Sequence, residues 1–327
     1  MELFRTPIFI VPSEIKIRYE SHIMMIGSCF SENMGNHLSE AKFSVDNNPF
    51  GIVYNPLSIN YGLTRLMDGK EYSADELQMN HDVWFSFDHH GKFSDIDMNT
   101  CLSGINNRFK DSAQRLQKAN FIFFTFGTSY VYSLKSTGQI VSNCHKIPAK
   151  EFDRKRVPLE EIVEGYLTLI RRIRKINPDV CIVFTVSPVR HWKDGAHENQ
   201  LSKSLLLLAT EQICDQLDKT YYFPAYELMM DDLRDYRFYD EDMFHPNSLA
   251  VSYIWNKFTG SFMEPETALL MKEVDKIVSA RNHRPLNAKS SQYKTFASKM
   301  IGEIKRLQDQ LQISLHEEEE YFLSILQ

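Results

Sequence analysis

Residues 26–32 read Ile-Gly-Ser-Cys-Phe-Ser-Glu and place a cysteine between an apolar run and a segment that begins a plausible helix. A thiol at a helix N-terminus has its thiolate stabilised by the helix dipole and by free N–H groups. Cys29 is therefore a candidate nucleophile, and Gly27 permits the tight turn before it. The alternative stays open here, because free cysteine is among the most buried residue types and Cys29 would then only fill space.

A second group of residues that could take part in a reaction is the sequence Asp-Met-Phe-His-Pro-Asn at residues 242–247. A carboxylate three residues before an imidazole can bind one ring nitrogen and leave the other free to act as a base. Pro246 suits the first turn of a helix predicted over residues 247–258. Taken alone, Asp242 and His245 are equally compatible with a helix-capping carboxylate and an unrelated surface histidine.

Four apolar runs predict the strands that position these two loops. They lie at residues 23–26, 121–126, 180–186 and 221–225. Three of them are nearly continuous, which is typical of parallel strands covered on both faces. Segments with helical periodicity lie between them, so the pattern predicts an α/β domain with three layers over about residues 15–262. In such a domain both loops open on the carboxyl edge of the sheet, where ligands bind.

The composition is that of a folded globular chain. It has 327 residues, of which 43% are hydrophobic and 24% are charged, and a formal net charge of −6. The interspersed charges give no electrostatic footprint for nucleic acid, and no apolar run approaches the ~20 residues of a membrane helix. The start of the chain lacks the pattern of a secretory signal. Five cysteines without a C-x-x-C pair favour a reducing, cytoplasmic location.

Several well-known motifs are absent. The chain has no G-x-G-x-x-G, G-K-[ST], H-E-x-x-H or G-x-S-x-G sequence. This disfavours dinucleotide enzymes, P-loop NTPases, zinc proteases and ordinary α/β-hydrolases. The pairs Cys144-His145 and His89-His90 match no standard zinc spacing. We therefore expect neither a cofactor nor a metal.

Together, the two motifs resemble those of a known superfamily. Residues 27–31 are similar to the G-D-S-L-S block of SGNH (GDSL) hydrolases, and Asp242-x-x-His245 is similar to their last block. The literal Gly-Ser-Cys-Phe string resembles the GSCFA family, a bacterial branch of that superfamily. Three further sequences share this resemblance: Asn48-Pro49-Phe50-Gly51, Asn143-Cys144-His145-Lys146 and Ser187-Pro188-Val189. The resemblance covers most of residues 20–260 and implies an SGNH-hydrolase-like (flavodoxin-like) α/β/α fold.

The resemblance also implies roles for the residues of the two motifs. Cys29 takes the nucleophile position, and Ser28, one residue out of register, is the fallback nucleophile. His245 is the base and Asp242 orients it. A thiol paired with histidine can be a thiolate near neutral pH and forms a thioester with the acyl group.

Further candidates concern the oxyanion and the substrate. Gly51 corresponds to the glycine whose backbone N–H helps an oxyanion hole. Ser129 stands where the superfamily has an asparagine that donates to the oxyanion. Losing one such donor costs about 100- to 1000-fold in rate. Asn143 or the Ser129 hydroxyl would therefore have to replace the missing asparagine. His145 is expected to line the cleft. Arg190 follows a strand at the same edge and either holds an anionic substrate group or pairs with a surface acid.

Two functions therefore remain open. The first is an SGNH-like esterase, acyl hydrolase or acyltransferase that acts through Cys29, His245 and Asp242 by way of an acyl-enzyme. The second is a non-catalytic module of the same fold that binds an acyl or carbohydrate ligand, suggested by Ser129. The expected partner is a small-molecule acyl ester or acylated carbohydrate, and neither nucleic acid nor a membrane is expected.

The chain divides into a domain at residues 1–262 and a C-terminal helical extension at residues 263–327. Residues 282–292 indicate a linker between them, and residues 317–320 predict a solvated run of glutamates. An apolar stripe predicts an amphipathic helix, which either docks on its own domain or forms a homodimer. The stripe consists of Phe296, Met300, Ile304, Leu307 and Leu311.

One segment interrupts the alternation of strands and helices. Residues 82–93 predict a short inserted hairpin beside the sheet, with its turn near His90-Gly91. Its aromatic residues are expected to pack on the surface, and a cover over a cleft is the alternative.

Overall fold

A computed structural model describes residues 5–283 and 290–326 of the chain. The strands in these ranges are β1 (His22–Gly27), β2 (Ser44–Asn47), β3 (Gln78–Asn80), β4 (Val83–Phe85), β5 (Phe121–Phe126), β6 (Tyr130–Leu134), β7 (Ile140–Val141), β8 (Phe152–Arg156), β9 (Cys181–Val186) and β10 (Thr220–Tyr222). The helices are α1 (Cys29–Glu40), α2 (Pro56–Asp68), α3 (Met98–Lys118), α4 (Leu159–Ile176), α5 (Gly195–Gln216), α6 (Ala225–Glu227), α7 (Ser248–Phe262), α8 (Pro265–Asn282), α9 (Ser291–Leu311) and α10 (His316–Leu326). Over these two ranges, no helix has the length and apolar character that spanning a membrane would require.

The centre of the molecule is a parallel sheet whose strands lie in the order β10-β9-β5-β1-β2. The chain leaves β1 for β2 on one side and then adds β5, β9 and β10 on the other side. The direction of winding therefore reverses between β1 and β5, and the carboxyl ends of these two strands flank the crevice where open parallel sheets bind ligands. At this edge Gly27 lies beside Thr125, which lies beside Thr185.

Helices cover both faces of the sheet, so the predicted three-layer α/β/α fold is confirmed. Strand β5 shows the reason, because all six of its residues are buried. Ile122 and Phe124 pack with α2, α3, α4 and α5 on one face. Phe121 and Phe123 pack on the other face with α1 and with α7 to α10. A continuous apolar run is what a strand needs when both faces are covered.

The strands of the structure differ from the prediction in three respects, of which the first is that the edge strand β2 was not predicted. Strand β10 ends at Tyr222, and Ala225, predicted as its last residue, begins α6 after Pro224. A small antiparallel sheet of order β7-β6-β8 was not predicted. Four of the five residues of β8 are exposed and charged, so the apolar pattern that marks a buried strand is missing there.

A hairpin is present in this region, but it spans residues 78–85, so the predicted bounds of residues 82–93 and the predicted turn near His90-Gly91 are wrong. Strands β3 and β4 pair antiparallel around His81 and Asp82, whose φ angles are +50° and +59°. Two consecutive positive φ angles are those of a tight two-residue hairpin turn. His90 instead precedes a short 3₁₀ segment, Gly91–Phe93, and its Nδ1 accepts the N–H of Lys92 at 3.3 Å.

Helix α9 docks on the sheet face that carries α1 and α7. Its buried side consists of Ala297, Ile301, Ile304, Leu307 and Leu311. The predicted stripe is therefore correct in its C-terminal part and rotated at its start, where Phe296 is 37% exposed. The predicted linker at residues 282–292 includes residues 284–289, which lie outside the described residues.

The acidic run at residues 317–320 lies at the start of α10, and the prediction that it is solvated is wrong for one of its residues, Glu318. Glu318 is 1% exposed, and its carboxylate lies 2.8 Å from Lys42 Nζ and 3.4 Å from Arg281 Nη1. Helical periodicity turns this one glutamate inward. The buried carboxylate is tolerated there because it faces two cations.

Candidate active site

Cys29 is the first residue of α1, directly beyond the carboxyl end of β1. Ser28 has an extended backbone, and its N–H donates to the carbonyl oxygen of Thr125 at 3.2 Å. Gly27 has a φ of +148°, and a Cβ at that position would lie 2.2 Å from the same oxygen. Only glycine allows this close approach. The turn therefore holds Cys29 at the point where the winding of the sheet reverses.

The thiol of Cys29 is largely shielded from water, but polar groups face it. Burial raises the pKa of this thiol, while the backbone N–H groups of Phe30 and Cys29 and the charge of Lys203 act in the opposite direction. A thiolate at this place would be stabilised by the open helix N-terminus and by the lysine. Ser28 is 3% exposed, and among the described residues its Oγ has no hydrogen-bond partner.

Asp242 and His245 form a hydrogen-bonded pair in the loop before α7. Asp242 Oδ1 accepts the backbone N–H groups of Phe244 at 2.8 Å and His245 at 2.9 Å, and Oδ2 lies 2.6 Å from His245 Nδ1. The backbone N–H of His245, then that of Phe244, then the imidazole lower the pKa of the Asp242 carboxyl to about 2. With Nδ1 engaged, Nε2 of His245 is left for proton transfer.

The two motifs lie at the same edge of the sheet without touching. The N–H of Arg190, beyond β9, donates to the carbonyl oxygen of Phe244 at 3.4 Å and so joins the edge to the loop of His245. Among the described residues, the imidazole of His245 bonds to Asp242 and makes no hydrogen bond to Cys29. The side chain of His245 is 47% exposed, so it can reach a substrate bound at the carboxyl edge of the sheet.

His191 lies at the same edge of the sheet, beside Gly127 and Tyr54. Its ring packs against Tyr54 with centroids 5.3 Å apart, and its Nε2 lies 3.2 Å from where a Cβ on Gly127 would be. Burial, followed by the charge of Lys203, lowers the pKa of His191 to about 4. The imidazole is consequently neutral at physiological pH and presents one N–H and one free nitrogen.

Lys203 projects from α5 to the same edge and is fully buried. Its Nζ donates to the carbonyl oxygens of Gly127 and Ser187, both at 2.7 Å. These two residues directly follow β5 and β9. Burial lowers the pKa of Lys203 to about 7, and the Cys29 thiolate acts in the opposite direction.

The two predicted oxyanion donors are already engaged in the structure. The N–H of Gly51 donates to the carbonyl oxygen of Asn48 at 2.8 Å. Ser129 is fully buried, and both its N–H and its hydroxyl bond to Ser202 Oγ, at 2.8 and 3.0 Å. Their predicted roles would therefore require these hydrogen bonds to break.

Asn143 and His145 line a cavity of about 310 Å³ together with His191 and Tyr54. Asn143 Oδ1 accepts the N–H of His145 at 2.8 Å. The Nε2 of His145 lies 2.9 and 3.1 Å from two backbone oxygens of the segment after β4, and burial lowers the pKa of this imidazole. Both residues thus shape the wall of a cavity next to His191.

Arg190 lines a larger cavity of about 520 Å³ that extends to the loop of His245. Its guanidinium lies 5.1 Å from the centre of the Trp192 ring, and Trp192 stacks on Phe244. Among the described residues, its Nε is buried without a hydrogen-bond partner. The remaining wall is mostly apolar and aromatic: Met229, Met230, Arg234, Asp235, Tyr236, Tyr239 and Met243.

Sequence reasoning missed Lys203 and gave no role to His191. A lysine inside a leucine-rich helical segment looks like an exposed residue, and only the tertiary structure shows that it is buried. The sequence could have indicated His191 as a site residue, because it comes five residues after β9 and beside Arg190. Over residues 5–283 and 290–326, no group of three or more His, Cys, Asp or Glu side chains is arranged to hold a metal.

Comparison with known proteins identifies the family. Residues 22–258 match the model of the GSCFA family, and residues 274–327 match that of the GSCFA domain protein, C-terminal domain. The predicted family is therefore confirmed. A comparison with curated proteins gives no match.

Three solved structures are similar at low identity. A family 3 carbohydrate esterase of Clostridium thermocellum is 9% identical, with 77% of this chain and 98% of that chain covered and a TM-score of 0.33. One from Talaromyces cellulolyticus is 11% identical, with 77% and 99% covered and a TM-score of 0.32. An acetyl xylan esterase of Butyrivibrio proteoclasticus is 9% identical, with 74% and 63% covered and a TM-score of 0.37.

Proposed function

The chain belongs to the GSCFA family, and from that membership we propose that it is an SGNH-like esterase or acyltransferase with Cys29 as its nucleophile. One observation carries the proposal. The thiol lies at the N-terminus of α1, at the reversal point of a parallel sheet, where burial raises its pKa and the N–H groups of Phe30 and Cys29 and a buried lysine oppose that rise. We assign the chain to the SGNH superfamily because residues 27–31 and Asp242-x-x-His245 are similar to its first and last blocks.

In the proposed reaction the Cys29 thiolate attacks the carbonyl carbon of an ester. The S–C bond forms, the C–O bond to the alcohol breaks, and the departing oxygen takes a proton from the His245 imidazolium. Water then gives a proton to His245 and attacks the thioester, which releases the carboxylic acid and restores the thiolate. An alcohol in place of water would make the same site an acyltransferase. Asp242 fixes the imidazole through Nδ1 and stabilises its charged form.

The oxyanion has two donors in this proposal, the backbone N–H groups of Cys29 and Phe30. These groups lie beside the sulfur and need no other residue to move. Of the predicted helpers, Gly51 and Ser129 would each have to give up a present hydrogen bond, whereas the hydrogen bond of the Asn143 side chain uses Oδ1 as an acceptor and does not involve its NH₂ group. A neutral His191 is a further donor at the same edge.

A specific observation favours a second candidate function. Because Gly51 and Ser129 are engaged elsewhere, the site has fewer oxyanion donors than the superfamily pattern, and a weakened hole costs rate. A non-catalytic module that binds an acyl or carbohydrate ligand at the same edge would tolerate this loss. Such a module binds its ligand saturably and does not turn it over.

The expected ligand is a small-molecule acyl ester or an acylated carbohydrate. The cavity at Arg190 has room for a ligand of this size. A guanidinium with an unpaired buried Nε suits a carboxylate or another anionic group. Trp192, which is 45% exposed, offers a flat face on which a sugar ring can stack.

Hydrolysis of 4-nitrophenyl acetate by the wild type, Cys29→Ala and His245→Ala tests both functions. The enzyme proposal expects turnover that is abolished in Cys29→Ala and strongly reduced in His245→Ala. Cys29→Ser is a matched control, since it keeps the geometry and replaces the sulfur. Turnover that is unchanged in Cys29→Ala would overturn the proposal, and saturable ligand binding without turnover in any variant would favour the binding module.

Three statements on the whole chain stay predictions. They are the division into residues 1–262 and 263–327, the cytoplasmic location, and a homodimer formed through the C-terminal helix. Light scattering on the full chain and on a variant that ends at residue 289 decides the last one. A dimer that persists without α9 and α10 would contradict it.

A further inference from the structure

The cavity of about 310 Å³ beside His191 has no role in the proposed reaction, although it lies next to the reacting groups. Gly127, the residue directly after β5, is the point of contact. A Cβ on Gly127 would lie 2.8 Å from the Cβ of Tyr54 and 3.2 Å from Nε2 of His191, and both of these residues line the cavity. The glycine therefore lets the cavity wall rest directly against the carboxyl edge of the sheet.

The segment that follows β9 separates this cavity from the larger one at Arg190. Arg190 and Trp192 line the larger cavity, whose wall is mostly apolar and aromatic. His191 and Lys193 line the smaller one. Successive side chains of the segment thus face opposite sides. A ligand bound at the sheet edge meets an apolar cavity on one side and a cavity with cationic groups on the other.

The small antiparallel sheet supplies one cation of the smaller cavity. Arg154 of β8 lies directly opposite Tyr132 of β6, so the two side chains share a face of this sheet. The guanidinium carbon lies 3.9 Å from the centre of the Tyr130 ring and 5.3 Å from that of Tyr132. Its Nη2 donates to Asp194 at 2.6 Å. Aromatic stacking and the ion pair hold the guanidinium in place before any ligand binds.

A tight turn supplies a second cation. Residues 143–146 read Asn-Cys-His-Lys, and the φ angles are +46° at His145 and +59° at Lys146, which is an uncommon conformation for residues other than glycine. Asn143 Oδ1 accepts the N–H of His145 at 2.8 Å, and the Asn80 side chain donates to the carbonyl oxygen of His145 at 3.0 Å. The turn held in this way brings Lys146 to the cavity wall.

These groups keep unused hydrogen-bond donors. Among the described residues, the guanidinium of Arg154 donates from Nη2 alone, so the N–H groups on Nε and Nη1 remain available. Lys193 has no carboxylate partner in the same part of the chain, and its Nζ donates to the Tyr132 hydroxyl at 3.0 Å. An ammonium has further donors beyond that one. The wall therefore offers more donors than its own acceptors take up.

The charges of the wall leave an excess of positive charge. Arg154, Lys146 and Lys193 are cations, and Asp194 is the one carboxylate among the described lining residues. The three cations come from separate segments and can approach an anion from different directions. A phosphate or sulfate group has acceptor oxygens on all sides and can use such donors together, whereas a carboxylate presents its two oxygens in one plane.

We propose that this cavity binds a phosphate or sulfate group through Arg154, Lys193 and Lys146. Strands β1 and β5 are neighbours in the sheet, so an ester whose carbonyl lies at Cys29 can place such a group in the cavity beyond Gly127. The cavity then selects esters of phosphorylated or sulfated compounds. This role in substrate selection rests on the proposed function, whereas the binding of the anion does not.

The test is isothermal titration calorimetry on the full chain at constant ionic strength, with glucose 6-phosphate, glucose, inorganic phosphate and inorganic sulfate as probes. We expect saturable binding of glucose 6-phosphate and none of glucose. Lys193→Met removes an exposed lysine and should raise the Kd about tenfold, because hydrogen bonds to a charged group are lost. Lys155→Met is the matched control, since it removes an exposed charge from the opposite face of β8 and should leave the Kd unchanged.

Arg154→Gln is a second variant, which keeps a donor near Asp194, removes the charge and should raise the Kd in the same way. Tighter binding of glucose 6-phosphate than of inorganic phosphate or sulfate identifies the anion as part of a larger ligand. Equal binding identifies the free ion, and either result supports the site. No binding of the three anionic probes, or a Kd that is the same in both variants and the wild type, overturns it. Absence of ester turnover in a chain that binds these probes contradicts the proposed function alone.

Discussion

Replacing Asp242 by asparagine separates the orienting role of the carboxylate from the shape of its loop. Two backbone N–H groups bond to Oδ1, and the imidazole of His245 bonds to Oδ2. An asparagine oxygen can keep the two backbone bonds, but its NH₂ group then faces Nδ1 and donates to it. The proton of the imidazole moves to Nε2, which can no longer act as a base. We expect kcat for an acyl ester to fall by about 10³- to 10⁴-fold.

The same change should affect stability only slightly. Both side chains are nearly half-exposed, so solvent screening reduces the contribution of the pair to about 0.5–1 kcal/mol. The folded-state pKa of Asp242, about 2, lies below its ordinary value of 3.8. The stabilisation is therefore present above pH 3.8 and is lost as the pH falls toward about 2.

The assay combines 4-nitrophenyl acetate turnover with the histidine tautomer read by nitrogen NMR, since the tautomer is measurable even without turnover. Asp240→Asn is the matched control, because it is a loop acid close to the pair. A His245 proton that stays on Nδ1 in Asp242→Asn, with turnover near that of the wild type, would refute the reasoning.

Four further changes have expected results. Gly27→Ala places a Cβ 2.2 Å from a carbonyl oxygen of the neighbouring strand, and we expect urea unfolding to show a loss of about 3 kcal/mol or more. Glu318→Ala leaves two basic side chains without their buried carboxylate and should cost about 3 kcal/mol, whereas Glu320→Ala should change little. Burial raises the pKa of Asp88 from 3.8 to about 6, so the fold loses stability as the pH rises from about 3.8 to about 6, and the loss is complete above that range. Asp88→Asn should raise the free energy of unfolding by about 3 kcal/mol at pH 7 and by almost nothing at pH 4. Arg190→Met should raise KM about tenfold for esters with an anionic group and leave neutral acetate esters unchanged; equal KM values for both would contradict its predicted role.

The layers of the fold were predictable from the sequence because both faces of the sheet are covered. Strands such as Phe121–Phe126 are then continuously apolar, and the helices between them show a single apolar side. The edge strand Ser44–Asn47 and the small antiparallel sheet were not predicted. These strands are short and partly exposed, so local periodicity does not distinguish them from loops.

The two motifs of the candidate site were predictable, while the groups around them were not. Cys29 and His245 stand out by the type and spacing of their neighbours. Lys203 does not, because its burial and its two carbonyl partners depend on contacts between α5 and the ends of β5 and β9. The engagement of Ser129 by a serine of α5 is likewise a tertiary contact. Sequence spacing predicts which strand ends carry polar residues, and packing decides which of those residues remain free.

Trapping an acyl group on Cys29 tests the proposed nucleophile most directly. The wild type and His245→Ala are mixed with 4-nitrophenyl acetate, quenched in acid and mapped by peptide mass spectrometry. We expect one acetyl group on the peptide that contains Cys29, removable by hydroxylamine as a thioester, and a higher fraction of it in His245→Ala, where water attack is slowed. Turnover with no acetyl group on Cys29 in either protein, or with the group on Ser28, would contradict the proposal that Cys29 is the nucleophile.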